Sequence, residues 1–231
     1  MITVAVVSHK HNELVNPLVK QLADSNLISL IVVVENVRDM IQIDELAKVT
    51  LIPNTTPLGF GENNNIAARF LDEENHFLVI NPDVMFPYDV GATLASLLEK
   101  IGDRRGVFSP NHVDERFSMV SSRREYLTIF GLIKRKIGIN RIADNYWIPG
   151  AFMLFTPNIF QASLFDQRFF MYCEDMDICN RIRREGYHVG FIDNDFPITH
   201  EGQRQSKKNL RHFILHITSL GRYFNKWMFS K

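Results

Sequence analysis

Residues 77–84 read FLVINPDV: Phe77-Leu78-Val79-Ile80, then Asn81-Pro82-Asp83-Val84. An apolar run without alternation suits a strand covered on both faces, as in a parallel sheet flanked by helices. The polar turn that follows marks where such a strand ends. The same shape recurs outward from this point. Residues 2–7 form an apolar run broken only by Thr3, followed by Ser8-His9-Lys10-His11-Asn12. Residues 27–34 run into Glu35-Asn36, and Leu51-Ile52 leads to residues 54–65, NTTPLGFGENNN. Between the runs lie helical stripes. Leu14, Val15, Leu18 and Leu22 form one; Ile66, Ala67, Phe70 and Leu71 a second; Val90, Leu94, Leu97, Leu98 and Ile101 a third. Alternation of this kind predicts an α/β fold with a Rossmann-like, mostly parallel central sheet and right-handed crossovers. Ligands of such sheets bind beyond the carboxyl ends of the strands. The polar tips are therefore the first places to look for chemistry.

Composition agrees with one large globular domain. The 231 residues are 45% hydrophobic and 23% charged, and 26 Lys and Arg balance 26 Asp and Glu. That balance argues against a dedicated nucleic-acid binder and against an acidic disordered chain. No apolar run approaches the roughly 18 residues of a membrane span. No basic segment precedes the first apolar run, so no signal peptide is expected. Cys173 and Cys179 form neither a CxxC pair nor a disulfide framework, which favours a reducing compartment.

The middle, residues 109–145, carries Arg123, Arg124, Lys134, Arg135, Lys136 and Arg141 and reads as a surface excursion, partly helical over residues 126–136. Patterning resumes with the apolar segment Trp147 to Phe155, which contains Pro149-Gly150. After the aromatic run Phe169-Phe170-Met171-Tyr172, the acids Glu174, Asp175 and Asp177 open an expected helix through Arg184, stopped by Gly186. Residues 188–192 read as a strand, and His200 follows a short apolar segment. From Arg204 onward there are seven basic residues and no acid, with Leu210, Phe213, Ile214, Ile217, Leu220, Tyr223, Phe224 and Trp227 at helical spacing. The tail has two readings: an interfacial helix on an anionic membrane, or a terminal helix docked on the core.

Three constellations carry chemistry. Asp83, after a buried strand and a proline, is placed to hold a divalent cation through oxygen, with His200 as a nitrogen ligand. A mixed O/N site accepts Mn²⁺ as well as Mg²⁺. Taken singly, Asp83 reads first as a turn or helix N-cap residue and His200 as a structural or exposed histidine; the two together make the site. Glu174-Asp175-Met176-Asp177 is the densest acidic cluster. Asp177 fits a helix-dipole role or a pair with Arg181, whereas a carboxylate at the mouth of an aromatic pocket suits a general base. Gly59-Phe60-Gly61 with Asn63-Asn64-Asn65 allows close backbone approach to a ligand, but is neither a Walker loop nor a GxGxxG fingerprint.

In their order these segments resemble the family-2 inverting glycosyltransferases of the GT-A fold. Within that family they are most similar to the rhamnosyltransferase-like branch that builds O-antigen and other bacterial surface polysaccharides. The carrying residues are Val6-Val7-Ser8-His9, Val33-Val34-Glu35-Asn36, Asn54 with Gly59-Phe60-Gly61 and Asn65, Asn81-Pro82-Asp83-Val84, Gly150-Ala151, residues 165–177 and His200. The resemblance spans residues 1 to about 206. It implies a catalytic domain over residues 1–206, with a nucleotide-sugar half (1–108) and an acceptor half (109–206), then a basic amphipathic helix over residues 207–231.

The resemblance also implies roles. Ser8 and Glu35 would line the base pocket, and Asn54, Gly59 and Asn65 would flank the nucleotide. Asn81 and Asp83 occupy the first and last positions of the DxD-type motif, so that Asp83 binds the cation that bridges the donor diphosphate. His200 would be a further metal or diphosphate ligand. Asp175 would be the catalytic base, with Glu174 beside it; Trp147, Gly150 and Ala151 would shape the sugar and acceptor pocket. Two departures are visible: Glu35 stands where the family usually has Asp, and Glu62 and Asn63 where it usually has more glycine.

The implied reaction moves a sugar, first of all rhamnose from dTDP-rhamnose, to a hydroxyl of a saccharide or polyprenyl-linked acceptor, with Mn²⁺ or Mg²⁺. A UDP-galactose or UDP-N-acetylhexosamine transferase is the alternative within the class. A non-catalytic sugar-nucleotide-binding or scaffold subunit and a glycoside hydrolase are alternatives outside it. The expected location is cytoplasmic, with peripheral contact at the inner membrane through the tail, and no nucleic-acid partner is expected.

Overall fold

The structure is a computed structural model. It describes residues 1–38, 47–114, 118–120, 124–126, 146–200 and 210–228. The expected excursion helix at residues 126–136 lies almost wholly outside the described residues.

The chain opens with β1 (Ile2–His9), α1 (Asn12–Ala23), β2 (Ile28–Val37), β3 (Val49–Pro53), α2 (Phe60–Ala67), β4 (His76–Ile80), β5 (Val84–Met85) and α3 (Val90–Ile101). There follow β6 (Gly106–Pro110), β7 (His112–Val113), β8 (Met119–Val120), β9 (Arg124–Glu125), β10 (Tyr146–Trp147) and β11 (Phe152–Phe155). The last elements are α4 (Ile159–Ser163), α5 (Glu174–Arg184), β12 (His188–Ile192), β13 (Ile198–His200) and α6 (Leu210–Met228).

Seven strands form the main sheet in the order β12-β6-β11-β4-β1-β2-β3. The pairs β1–β2, β2–β3, β1–β4 and β6–β12 are parallel, while β11 runs antiparallel to both β4 and β6. Side chains alternate across it, as a two-unit repeat requires. Val4, Val6, Ile31, Val33, Leu78 and Ile80 face α1 and α3, packing with Leu18, Leu22, Leu94 and Leu97. Ala5, Val32, Val34, Phe77 and Val79 face the other way, against Phe160, Ile178, Cys179 and Ile182 of α4 and α5. Burial on both faces explains why the strands read as unbroken apolar runs. Cys173 and Cys179 are buried free thiols.

A second sheet, β5-β13-β7-β8, lies beyond the end of β4. It matters because β13 pairs with β5, setting His200 opposite Val84, one residue after Asp83.

One helix begins earlier than the apolar spacing indicated. The second stripe placed it at Ile66, but α2 starts at Phe60 and takes in Asn63, Asn64 and Asn65, all buried. Asparagine is a weak helix former in isolation. Here Asn63 Nδ2 donates to the Gly59 carbonyl and Asn64 Nδ2 to the Phe60 carbonyl, so the side chains reinforce the helix's own first turn.

Candidate functional site

The polar tips do gather at one sheet edge. Ser8 lies opposite Glu35, Glu35 opposite Pro53, and Val6 opposite Ile80, the residue before Asn81. Ser8 and Glu35 are both buried. The tips are knitted by amides: Asn54 Nδ2 donates to Asn36 Oδ1 at 3.0 Å and to Asn63 Oδ1 at 2.6 Å. Asn36 also accepts from the Leu58 amide at 2.7 Å and donates to the Leu58 carbonyl at 2.9 Å. Asn36 and Asn63 were not singled out as site residues. In the sequence Asn36 stands among the residues that carry the resemblance and Asn63 among its departures, with no role attached to either.

Three residues expected around the nucleotide are engaged by the protein itself. The Asn54 amide is spent on Asn36 and Asn63. Asn65 exchanges two hydrogen bonds with the backbone of Phe165, donating to its carbonyl at 2.8 Å and accepting from its amide at 3.0 Å. Gly59 is a close approach to protein: a Cβ there would stand 2.7 Å from the Phe170 carbonyl oxygen. These contacts tie the first half of the chain to the loop ahead of α5.

Asp83 and His200, 117 residues apart, meet: His200 Nε2 lies 3.3 Å from Asp83 Oδ1. That oxygen is buried with no hydrogen-bond partner among the described residues. The unsatisfied carboxylate oxygen beside an imidazole nitrogen fits a divalent cation. No group of three or more His, Cys, Asp or Glu side chains that could hold a metal ion occurs among the described residues. The remaining coordination positions would fall to a ligand's oxygens. A further imidazole, His112, stands with its ring 6.2 Å from that of His200 and its Nε2 3.2 Å from Ser109 Oγ. Burial, assisted by His200, pushes His112 down to about 4, so it is neutral near pH 7.

The acidic cluster opens α5. Tyr172 and Cys173, just before it, both have left-handed backbones, with φ of 69° and 66°. For side chains larger than glycine this costs about 1–2 kcal/mol per residue. Strain of this kind needs surrounding contacts to hold it, and it concentrates at functional sites. Tyr172 is held by α6: its hydroxyl lies 2.8 Å from His212 Nδ1 and its ring packs against His216.

The turn sets Asp175 against Gly150. The Gly150 amide donates to Asp175 Oδ2 at 3.1 Å, and the Met176 amide to Oδ1 at 2.8 Å. A Cβ on Gly150 would stand 3.1 Å from the Phe60 ring, so the close packing favours glycine there. The Ala151 carbonyl in turn accepts from the Asn81 amide at 2.9 Å. A two-step hydrogen-bonded path therefore joins Asp175 to the turn that carries Asp83. Burial pushes the Asp175 carboxyl up to about 6, against the pull of the amides. Glu174 differs: burial and the nearby Asp175 raise its carboxyl well above the ordinary range, and its Oε2 has no hydrogen-bond partner among the described residues. Of the two, Asp175 is the one poised to accept a proton near neutral pH. Trp147 is half-buried, with its indole N–H also lacking a hydrogen-bond partner among the described residues.

Comparison with known proteins follows this geometry. No protein-family model matches the chain. The rhamnosyltransferase WbbL of Escherichia coli K12 is 26% identical over 251 aligned positions, covering 96% of this chain and 92% of that protein. Among solved structures, GalNAc-T7 with UDP, GalNAc and Mn²⁺ superposes with a TM-score of 0.61 at 14% identity, over 90% of this chain. This chain spans 45% of that one's length. Residues 1–349 of Staphylococcus aureus TarS give a TM-score of 0.57 at 12% identity, over 97% of this chain and 72% of that one.

The fold is GT-A. The resemblance to rhamnosyltransferase-like glycosyltransferases, read from the residues, stands with it. In GT-A terms, Asp83 and His200 sit at the carboxyl end of β4, and Asp175 sits across the β4–β11 junction on the same edge. No helix among the described residues is long and apolar enough to cross a membrane.

Proposed function

We propose that this protein is an inverting glycosyltransferase that moves a sugar from a nucleoside-diphosphate donor to an acceptor hydroxyl. The observation that carries this reading is the path Asp83–Asn81–Ala151–Gly150–Asp175. It sets a candidate cation site and a candidate base on one edge of the sheet. In this reading residues 1–108 serve the donor and residues 109–206 the acceptor.

Asp175, oriented by the Gly150 and Met176 amides, takes the proton of the acceptor hydroxyl as the oxygen attacks the anomeric carbon. The bond to the diphosphate breaks on the opposite face, so the anomeric configuration inverts in one step and no covalent enzyme intermediate is needed. The sugar passes through an oxocarbenium-like state, as in glycoside hydrolysis. Asp83 and His200 would hold a divalent cation, which when bound supplies charge neutralisation to the departing diphosphate. Ser8 and Glu35 line the base end of the donor, Asn81 borders its diphosphate, and Trp147, Gly150 and Ala151 border the acceptor. Asn54, Gly59 and Asn65 act indirectly, by fixing the tips that touch the donor.

The similarity to a rhamnosyltransferase favours rhamnose as the sugar moved, and the resemblance read from the sequence extends this to dTDP-rhamnose as donor and a saccharide or polyprenyl-linked acceptor in surface-polysaccharide synthesis. The UDP in GalNAc-T7 favours a UDP-hexose as the second choice. The test is a nucleotide-sugar panel with Mn²⁺ or Mg²⁺, read by thermal stabilisation and then by transfer. Asp175→Asn is expected to lower transfer by about 10²–10⁴-fold, the usual worth of a general base, with donor binding retained. Transfer at the wild-type rate in that variant removes the base assignment. Donor binding by the wild-type protein with no transfer to any acceptor favours the non-catalytic reading.

A further inference from the structure

The C-terminal helix α6 has two unlike faces. One is docked. Ser219 and Tyr223 are buried, and Leu220, Phe224 and Trp227 pack with Phe169, Cys173 and Met176. Ser219 Oγ donates to the Met171 carbonyl at 2.7 Å. Lys226 bonds to Asp166 and Asp177, each at 2.8 Å. The other face presents Leu210, Phe213, Ile214 and Ile217, exposed by 74%, 56%, 56% and 51%. Their spacing puts them in one stripe, turned away from Ser219 and Tyr223. A surface helix ordinarily turns charged and polar residues outward. Four large apolar side chains in one exposed stripe mark an interaction surface rather than scattered exposure.

Charge selects the partner. Residues 204–211, which lead into the stripe, contain Arg204, Lys207, Lys208 and Arg211, and no acid occurs from there to the end. A second copy docked stripe to stripe would offer this basic sequence no acid from its own residues 204–231. An anionic lipid surface takes both features: the stripe enters the acyl boundary and the basic segment meets the headgroups.

We propose that the outer face of α6 seats on an anionic lipid bilayer. The docking is linked to the site, because the same half of the helix holds Tyr172 through His212 and His216, three residues before Asp175. The lipid contact does not rest on the glycosyltransferase reading.

The experiment is co-sedimentation of the full chain with phosphatidylcholine vesicles, with and without phosphatidylglycerol, and without any sugar nucleotide. The wild-type protein is expected to bind the phosphatidylglycerol vesicles more tightly, less so at high salt. Ile214→Glu with Ile217→Glu is expected to reduce that binding by roughly tenfold or more. Both positions are exposed, so the thermal unfolding of the variant is expected to match the wild type. Absence of vesicle binding overturns the proposal, as does equal binding by wild type and variant. A concentration-dependent dimer that the double variant abolishes, without vesicle binding, overturns it in favour of self-association.

Discussion

Asp175 and Asp177 stand two residues apart in the first turn of α5 and have opposite surroundings. Asp177 is fully buried and saturated. Arg181 Nε reaches it at 3.0 Å, Lys226 at 2.8 Å and Trp227 Nε1 at 2.9 Å. Asp175 receives two backbone amides and bonds to no basic side chain among the described residues, the exposed Arg124 acting only at longer range. One carboxylate is spent on architecture, fastening the last helix to the fifth. The other is left short of charge compensation, which gives it a proton affinity useful near neutral pH. Acidic residues in a first helical turn look alike in sequence. Their surroundings, contributed from 25 residues before and 50 after, set them apart.

The largest effect that can break this contrast is on stability. Asp177→Ala leaves the Trp227 N–H without its acceptor, Lys226 with Asp166 alone and Arg181 with only the Ser163 and Leu164 carbonyls, and breaking a buried charge pair this way costs about 3–5 kcal/mol. Denaturant unfolding should record that loss, and a change below about 1 kcal/mol would show that the cluster is dispensable. Lys226→Met should cost less, about 1.5–3 kcal/mol, since Asp177 keeps Arg181 and Trp227. It should also lower the protection of α6 amides against hydrogen exchange.

The next effect concerns protons. With Asp175 near 6, kcat/KM is expected to rise about tenfold per pH unit below pH 6 and to level off above it. A profile flat from pH 5 to pH 8 would assign the base elsewhere. The smallest effect is a gain. A carboxyl raised from 3.8 to about 6 on folding binds its proton more tightly in the native state. Stability therefore falls as pH rises through that window. Asp175→Asn removes the penalty but loses one amide acceptor, so the net gain at pH 7 is expected to be about 1 kcal/mol. At pH 4 the variant should show no gain.

Much of this architecture was readable before any coordinates. Apolar runs identified the parallel strands because burial on both faces leaves no alternation. Polar tips mark one sheet edge because strands in such sheets end together. The span of α5, from Glu174 to Arg184, followed from its acids and its Gly186 stop. What stayed hidden was long-range. FMLF at residues 152–155 reads the same whichever way the strand points, so the antiparallel β11 had no signature. The Asn65–Phe165 exchange spans 100 residues and involves backbone on one side. The left-handed pair Tyr172-Cys173 lacks the glycine that usually announces such a corner. Ligand chemistry alone pairs Asp83 with His200 in the sequence, and the β5–β13 ladder supplies the physical reason for their meeting. The tail's two readings were posed as rivals; the helix docks with one face and leaves the other bare.

The reversed direction of β11 has a consequence for how such a protein diversifies. Its neighbours deliver chain ends to the working edge, whereas β11 delivers a beginning, Gly150-Ala151. The segment entering that edge is covalently remote from the exits of β1, β2, β3 and β4. Under the proposed reaction, insertions ahead of residue 146 would alter the acceptor side of the edge and leave the strand exits on its donor side unchanged.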